Sequence, residues 1–284
     1  MFLSGKEWNA EHRLLLARLC AAVAQGGEIA GIVADLADLA LLSRYYLARS
    51  LDAGAKRACA HFHYVWLCER LTAAALQSLL EGPVELWSVK PDGVRYVFGI
   101  CAEKFVAREG ELTLELFANG KPLYALSFTV VPARLFDIEA DAVFLVSRVQ
   151  GRPNRFEDIR LATKAMSEVS PRAALFAALS GVAGAAGIDL VLGVSAENFM
   201  NFQPHKREAL ERQYNAFFEA LEAEGPRGGV YLVDLGAGPK QLNLVKPGHR
   251  IRTRRKRQLK AEIAEAVGHA LAARLTPPRD ATGR

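Results

Sequence analysis

The sequence predicts an α+β fold in which an N-terminal helical region packs on a mixed, mainly antiparallel sheet. Residues 11–80 repeat apolar side chains at the spacing of amphipathic helices. Residues 84–149 instead contain runs that alternate polar and apolar side chains, which is typical of strands with one buried face. Beyond residue 150, helical patterns alternate with short apolar runs, as they do in α/β units.

Three helical patterns fill the first third of the chain: Glu11–Gln25, Ile29–Leu51 and Ala55–Leu80. The third pattern stops before Gly82 and Pro83, a pair that interrupts helices. We therefore predict a helical region at 1–82, an α/β domain at 83–276 and a flexible tail at 277–284.

Five strands are expected in an antiparallel meander: Val84–Val89, Val94–Ile100, Glu111–Ala118, Pro122–Val131 and Ala142–Val149. Asn119 and Gly120 separate the third strand from the fourth. Both residues of a tight hairpin turn need positive φ angles, which Asn and Gly tolerate. The later helices and strands are predicted at Phe156–Glu168, Pro171–Ala186, Asp189–Ser195, Lys206–Glu224, Gly228–Leu235 and Arg252–Leu275.

The composition is that of a globular protein, with 51% hydrophobic and 24% charged residues. The N-terminus lacks the pattern of a signal peptide, and the longest uncharged run, Ala173–Ile188, is shorter than the roughly 20 residues of a membrane span. The four cysteines include no CxxC pair, which favours reduced thiols over disulfides or metal ligands. We expect a cytoplasmic protein without a metal site or a transmembrane segment.

Much of the positive charge lies in Arg250–Lys260, which has seven lysines or arginines in eleven residues. The chain as a whole carries a net charge of +5. Such clusters bind nucleic acid, lipid head groups or acidic proteins. The alternative is a solvated helix face without a partner.

A strand, a glycine turn and a helix follow one another around residue 151, an order that can hold an anion. A helix N-terminus offers unpaired N–H groups and a positive dipole end, and arginines add charge-assisted hydrogen bonds. Arg160 and Lys164 lie four residues apart, where like charges repel unless an anion lies between them. A plain connection, with arginines solvated or neutralised by Glu157 and Asp158, is the alternative. The candidate phosphate-binding residues are Gln150, Gly151, Arg152, Arg155, Arg160 and Lys164.

Several segments resemble the VirK/YbjX family, among them "HFHYVWLCERL" (61–71), "EGELTLEL" (109–116), "IRLATKAMSEVSPRAALFAAL" (159–179) and "GIDLVLGVSAENF" (187–199). The resemblance implies a bacterial protein with links to virulence and to the cell envelope, and it supplies no accepted reaction. Asn215 and Phe218 stand where the family usually has Asp and Trp. The histidine usual after the "GVS" strand is matched only by His205.

The order of the elements is also similar to that of the GNAT family of N-acetyltransferases. This resemblance implies an acetyltransferase-like topology and an acyl-CoA or related phosphate-bearing donor, bound by the turn after the fourth strand of that fold. The turn here has less glycine and contains Pro153, and the helix Pro171–Ala186 is an addition to the GNAT order.

The GNAT resemblance also implies catalytic roles. Tyr214, in a helix after the "GVS" strand, would protonate the thiolate of the donor, and Glu197 or His205 would deprotonate the attacking amine. A core tyrosine at 214 and a loop-capping role for Glu197 are the alternatives.

Three further residues are candidates for substrate binding. His61 and Tyr64 share one face of a helix and would line a cleft, and Asn198 follows the "GVS" strand. Helix packing and capping of a turn are the alternatives.

These observations predict an acyl- or aminoacyl-transferase-like enzyme that modifies an amine on a peptide or an envelope component. Two other classes stay open: a non-enzymatic protein that binds an anionic partner through Arg250–Lys260, and a peptide-tailoring enzyme of other chemistry. The G-x-S-x-G, P-loop and HExxH motifs do not occur in the sequence.

Overall fold

The computed structural model describes residues 5–43, 45–102, 109–238 and 247–276. In this part of the chain, helices pack on one open, mixed sheet of eight strands, so the predicted combination of helices and a mixed sheet is confirmed. The tail predicted at 277–284 lies outside the described residues, and the domain boundary at residue 82 stays a prediction.

The helices begin and end close to the predicted positions, with two exceptions in the first third. The pattern predicted as one helix at Ala55–Leu80 forms two helices, Ala53–Arg70 and Ala73–Glu81, because Leu71 between them has extended φ and ψ angles. The second helix ends at Leu41 instead of Leu51, because Leu47 has a positive φ and Ala48 forms a β-bridge with Phe199. The α-helices are α1 (Gly5–Gln25), α2 (Ala30–Leu41), α3 (Ala53–Arg70), α4 (Ala73–Glu81), α5 (Phe156–Ala165), α6 (Pro171–Ala186), α7 (Arg207–Gln213), α8 (Asn215–Ala220) and α9 (Arg250–Ala272).

The sheet has the order β1-β2-β3-β4-β5-β6-β8-β7, and among the described strands only the pair β5 and β6 is parallel. The Asn119–Gly120 hairpin joins β3 to β4 as predicted, and both of its residues have positive φ. The strands are β1 (Val84–Val89), β2 (Tyr96–Ala102), β3 (Leu112–Ala118), β4 (Lys121–Pro132), β5 (Ala142–Gly151), β6 (Leu190–Val194), β7 (Glu224–Arg227) and β8 (Val230–Asp234).

The region after β6 differs from the prediction. The single helix expected at 206–224 is broken at Tyr214 into α7 and α8. The edge strand β7 was not expected, because its sequence EGPR is exposed throughout and has no apolar alternation.

Apolar side chains of the strands pack on both faces of the sheet. On one face, Phe128 and Phe144 lie beside Val182 of α6 and Leu271 of α9. On the other face, side chains of β4, β5 and β6 cluster with side chains of α2 and α3. The N-terminal helices therefore pack on the sheet, as the sequence predicts.

Helices α6 and α9 approach closely at a glycine. A Cβ atom at Gly181 would collide with the backbone of Ala264, so only glycine permits this contact. The helix α6 contains the long uncharged run of the sequence and is largely buried. Among the described residues, no helix is both long and apolar enough to cross a membrane.

Candidate functional site: a buried polar cluster

The parallel strands β5 and β6 pair only briefly. Their register joins 144–146 to 191–193. Strand β5 continues to Gly151, whereas β6 ends at Val194. Residues 147–151 therefore have one hydrogen-bonding edge that no strand of the described chain covers.

A β-bulge lies where the two strands separate. In the register of β4 and β5, Ser127 is opposite Arg148 and Phe128 is opposite Val146, so Ser147 has no residue opposite it. Such a bulge re-aims side chains and leaves one residue outside the ladder, and bulges are frequent beside active sites. Both Ser147 and Arg148 are directed into the protein, since Ser147 is buried and the Arg148 side chain is 11% exposed.

The sheet face beside this bulge is polar although it is buried. Side chains alternate along a strand, so Glu111, Thr113 and Glu115 share one face while the leucines of β3 take the other. Thr113 Oγ1 lies 3.0 Å from Ser127 Oγ on β4. We name this group the buried polar cluster. Its members are Glu109, Glu111, Thr113, Glu115, Ser127, Thr129, Ser147 and Arg148.

Two ion pairs stabilise the cluster. Arg148 Nε lies 3.2 Å from Glu109 Oε2, and both side chains are largely buried. Arg152 pairs with Glu115. An isolated buried carboxylate is costly, on the order of several kcal/mol, so the arginines offset much of the cost of burying these glutamates.

Tyr214 reaches the same cluster from the break between α7 and α8. Its side chain is 1% exposed, and its ring stacks on Phe199 with centroids 4.8 Å apart. Burial first, and then the charge of Glu109, raise the pKa of Tyr214 well above its usual value, against the effect of Arg148. Among the described residues no side chain forms a hydrogen bond with the hydroxyl, and a hydrogen bond with the backbone of Val149 acts, like Arg148, to lower the pKa.

The space between the ends of β5 and β6 is filled by side chains. Gln213 Nε2 donates a hydrogen bond to the carbonyl oxygen of Val149 at 2.7 Å, on the uncovered edge of β5. The Phe218 ring lies directly on Gly193 of β6, where any side chain would collide with it. An extended ligand that bound to this edge would have to displace Gln213.

A second hydrogen-bonded chain adjoins the cluster at α3. Tyr64 donates a hydrogen bond to Glu111, and His12 Nε2 lies 3.0 Å from the Tyr64 oxygen. His63 Nδ1 accepts a hydrogen bond from the Val130 N–H at 3.2 Å. A cavity of about 10 Å³ lies beside these side chains, which is about the volume that one water molecule needs.

Part of the turn predicted to bind phosphate belongs to the sheet. Gln150 and Gly151 are the last residues of β5, and the Arg152 N–H donates a hydrogen bond to the Leu123 oxygen at 2.8 Å. Gly151 is not a turn glycine, because β4 is long enough to pair with β5 up to this residue. The turn therefore begins at Arg152, and phosphate binding by these residues stays a prediction.

The first turn of α5 carries its own carboxylates. Arg155 Nε lies 2.7 Å from Asp158 Oδ2, and Arg160 Nη2 lies 2.6 Å from Glu157 Oε1. Acidic residues in the first turn interact favourably with the positive end of the helix dipole. An anion at this helix N-terminus would compete with both of them.

An open groove of 650 Å³ lies beside α5. Three cations line it, Lys121, Arg155 and Lys164, together with the carboxylates of Asp92 and Asp158. Of the six residues predicted to bind phosphate, the structure brings Arg155 and Lys164 together here. Lys121, on β4, was not predicted.

Glu197 and His205 do not join the buried polar cluster. The Glu197 side chain is 61% exposed and pairs with Arg207. His205 is exposed in the 3₁₀ turn 204–206. Their expected role as the base beside Tyr214 therefore has no support in the geometry, because Tyr214 is buried.

Asn198 connects three loops through hydrogen bonds. Its amide nitrogen donates to Ser50 Oγ at 2.9 Å and to the Gly229 oxygen at 3.0 Å, and its oxygen accepts from the Ser50 N–H at 2.7 Å. This network agrees with the capping alternative rather than with substrate binding.

The expected role of His61 and Tyr64 in lining one cleft stays a prediction, and the two side chains differ in burial. His61 is exposed and Tyr64 is buried against Glu111. The edge of the buried face of α3 falls between them, and His63 is the buried histidine.

One known protein family matches most of the chain. The family described as "Protein of unknown function (DUF535)" matches residues 12–269. The chain belongs to this family. DUF535 includes VirK and YbjX, so that resemblance is confirmed. No curated protein and no solved structure matched the chain, and the acetyltransferase-like topology stays a prediction.

Every member of the buried polar cluster lies within the segment that matches DUF535. The sequence analysis did not select these residues. The usable signal was the alternation of Glu111, Thr113 and Glu115 opposite three leucines, but an alternating strand normally turns its polar side to water. Among the described residues, no group of three or more His, Cys, Asp or Glu side chains is placed to hold a metal ion.

Proposed function

We propose that this DUF535 protein transfers an acyl or aminoacyl group from a CoA-type or other phosphate-bearing donor to an amine at the buried polar cluster. The amine would belong to a peptide or an envelope component. One observation carries the proposal: the Tyr214 hydroxyl is buried beside the Glu109–Arg148 pair, near the backbone of Val149, and no side chain of the described residues forms a hydrogen bond with it. Buried polar atoms with so few partners are rare and are found at functional sites.

The proposed reaction needs one acid and one base. The amine nitrogen attacks the thioester carbonyl, the C–N bond forms, and the C–S bond then breaks. Tyr214, a neutral phenol at neutral pH, gives its proton to the leaving thiolate. Glu109, in place of Glu197 and His205, takes the proton of the amine. Glu109 is chosen because its charge acts on Tyr214 and raises the pKa of that residue.

The bulge supplies a further element of this mechanism. The oxygen of the tetrahedral intermediate carries a negative charge, and backbone N–H groups outside a ladder can stabilise it. Ser147 is the residue that the bulge leaves without an opposite partner, and it is buried within the cluster.

The phosphates of the donor would bind in the groove beside α5. Lys121 and Lys164 are both exposed on its walls, and Arg155 adds a guanidinium. These three cations take the phosphate-binding role that was predicted for the backbone N–H groups of Gln150 and Gly151. Both of those residues instead pair with β4 in the sheet.

Thiol release tests the proposal. Free thiol is measured from acetyl-CoA and longer acyl-CoAs in the presence of simple primary amines. We expect turnover by the wild type and a loss of about 100-fold or more in Tyr214→Phe, the usual contribution of a general acid. Tyr231→Phe is the matched control, since its hydroxyl contacts Glu219 at 3.5 Å outside the cluster. Equal rates for the wild type and Tyr214→Phe would refute the role of this site.

A further inference from the structure

The first half of α9 carries a dense positive charge that the protein core does not use. Seven lysines and arginines occupy Arg250–Lys260, and the first acidic residue after them is Glu262. The buried residues of α9 are Ile263, Val267 and Leu271, all in its second half. We call 250–262 the basic arm.

The second half of α9 holds the basic arm in place. The spacing of Ile263, Val267 and Leu271 puts them on one side of the helix. The contact at Gly181 brings the α6 and α9 backbones together, and a Cβ at Gly268 would lie only 3.2 Å from the Gly181 oxygen. The arm therefore continues a firmly packed helix, and its direction is fixed.

The charges of the arm repel one another. Like charges at i,i+4, as in Arg252 with Lys256 and Lys256 with Lys260, destabilise a helix, and cations near a helix N-terminus oppose the dipole. Burial, followed by the charges of Arg257 and Lys256, lowers the pKa of Lys260. In the described chain, Arg252 has a carboxylate within 3.3 Å, from Glu168. A bound polyanion would relieve this repulsion.

The distribution of charge distinguishes between classes of partner. The arginines at 252, 254, 255 and 257 lie on different sides of the helix, since successive residues are about 100° apart around its axis. A helix that lies on a bilayer needs a continuous apolar face, and the arm has only Ile251, 70% exposed, and the half-buried Leu259. A helix in the major groove of DNA has phosphates on both sides, and that groove is about 12 Å wide, enough for an α-helix.

We propose that the basic arm binds the phosphate backbone of double-stranded DNA. The arm supplies arginines on several sides of a helix whose residues are exposed or half-buried, and phosphate contacts of this kind are independent of base sequence. This inference does not rest on the transferase proposal, because it uses other residues and another surface.

Fluorescence anisotropy tests the inference. The full chain is titrated into a labelled 20-base-pair DNA of arbitrary sequence over a series of salt concentrations. We expect binding that weakens steeply with salt. In the triple variant Arg254→Gln, Arg255→Gln, Arg257→Gln, the slope of log K against log salt should fall by about 2.7, or about 0.9 for each phosphate contact.

The matched control removes the same charge elsewhere. Arg95, Arg160 and Arg212 are exposed and paired with carboxylates outside α9, and their change to Gln should leave DNA binding nearly unchanged. Melting curves check that both variants stay folded. Three results would overturn the inference: no DNA binding at low salt, equal loss in both variants, or binding of anionic phospholipid vesicles or an RNA duplex but not of DNA.

Discussion

The hydroxyl of Tyr214 combines burial, a raised pKa and the lack of a side-chain hydrogen-bond partner among the described residues. At this scale the structure separates functional candidates from structural ones. The amide of Asn198 forms three hydrogen bonds within the protein, and the carboxylate of Glu197 forms an exposed ion pair with Arg207. The Tyr214 oxygen forms no hydrogen bond with any side chain of the described residues.

Removing the Tyr214 oxygen should cost little stability. Replacement of Tyr214 by Phe keeps the ring stacked on Phe199 and removes a buried polar atom that has no side-chain partner among the described residues. We expect the free energy of unfolding, measured in urea, to stay within about 0.5 kcal/mol of the wild type or to rise. A loss of 2 kcal/mol or more, on the order of a broken buried hydrogen bond, would show that the hydroxyl forms a strong structural hydrogen bond.

The raised pKa of Tyr214 also predicts how stability changes at alkaline pH. The folded chain keeps this proton at pH values where the unfolded chain loses it, so this contribution is complete below the ordinary value of 10.0 and is lost as pH rises above it. Urea midpoints between pH 9 and 11 should fall more for the wild type than for Tyr214→Phe. An equal fall of the urea midpoint in both proteins would contradict the raised pKa of Tyr214.

The cysteines should be inert thiols. Burial raises the pKa of Cys59 and of Cys68 to about 12, and that of Cys20 to about 11. The thiolate is the reactive form, so we expect no alkylation by iodoacetamide at pH 8 in the native state and full reaction in urea. Rapid native labelling of Cys59 would contradict its burial.

At the scale of elements, the contact between α6 and α9 depends on Gly181. A methyl group there would collide with the backbone of Ala264, so Gly181→Ala must separate the two helices. We expect a loss of about 1–3 kcal/mol, typical of overpacking, measured by urea unfolding.

Gly184→Ala in the same helix is the matched control. No atom lies within 4 Å of a Cβ at Gly184, so this change should raise stability by about 1 kcal/mol through helix propensity. Similar effects of the two substitutions would contradict the close packing at Gly181.

Most elements were predictable, because their signals are local. The Asn119–Gly120 turn and the alternation of β3 were sufficient to predict that hairpin. The end of β5 was not, since its pairing up to Gly151 depends on the length of β4. The break at Tyr214 was missed for a similar reason: the apolar pattern continues through it, and only tertiary contacts interrupt the helix.

The buried polar cluster was harder to predict than any element. Its residues are distant in sequence, and Arg148 reaches Glu109 only because a bulge re-aims β5. Sequence alternation assigns Glu111 and Glu115 to the polar face of β3. It does not show that helices and neighbouring strands bury that face.

For the whole molecule, the helical first third and the sheet share one core. Side chains of α1, α3 and α4 belong to the same buried cluster as those of β2, β3 and β4. We therefore expect a single cooperative unfolding transition, with circular dichroism and tryptophan fluorescence giving the same midpoint. Two separated transitions would show that residues 1–82 unfold independently.

The central claim is that the chain binds a phosphate-bearing acyl donor beside α5, and calorimetric titration with acetyl-CoA tests it most directly. The account predicts one site per chain, weakened about 100-fold or more by Lys121→Ala with Lys164→Ala, since each charge-assisted contact contributes about 1.5 kcal/mol or more. Arg212→Ala, on the exposed surface of α7, should bind like the wild type. Absence of binding heat, or equal affinity in the double-lysine variant, would contradict the account.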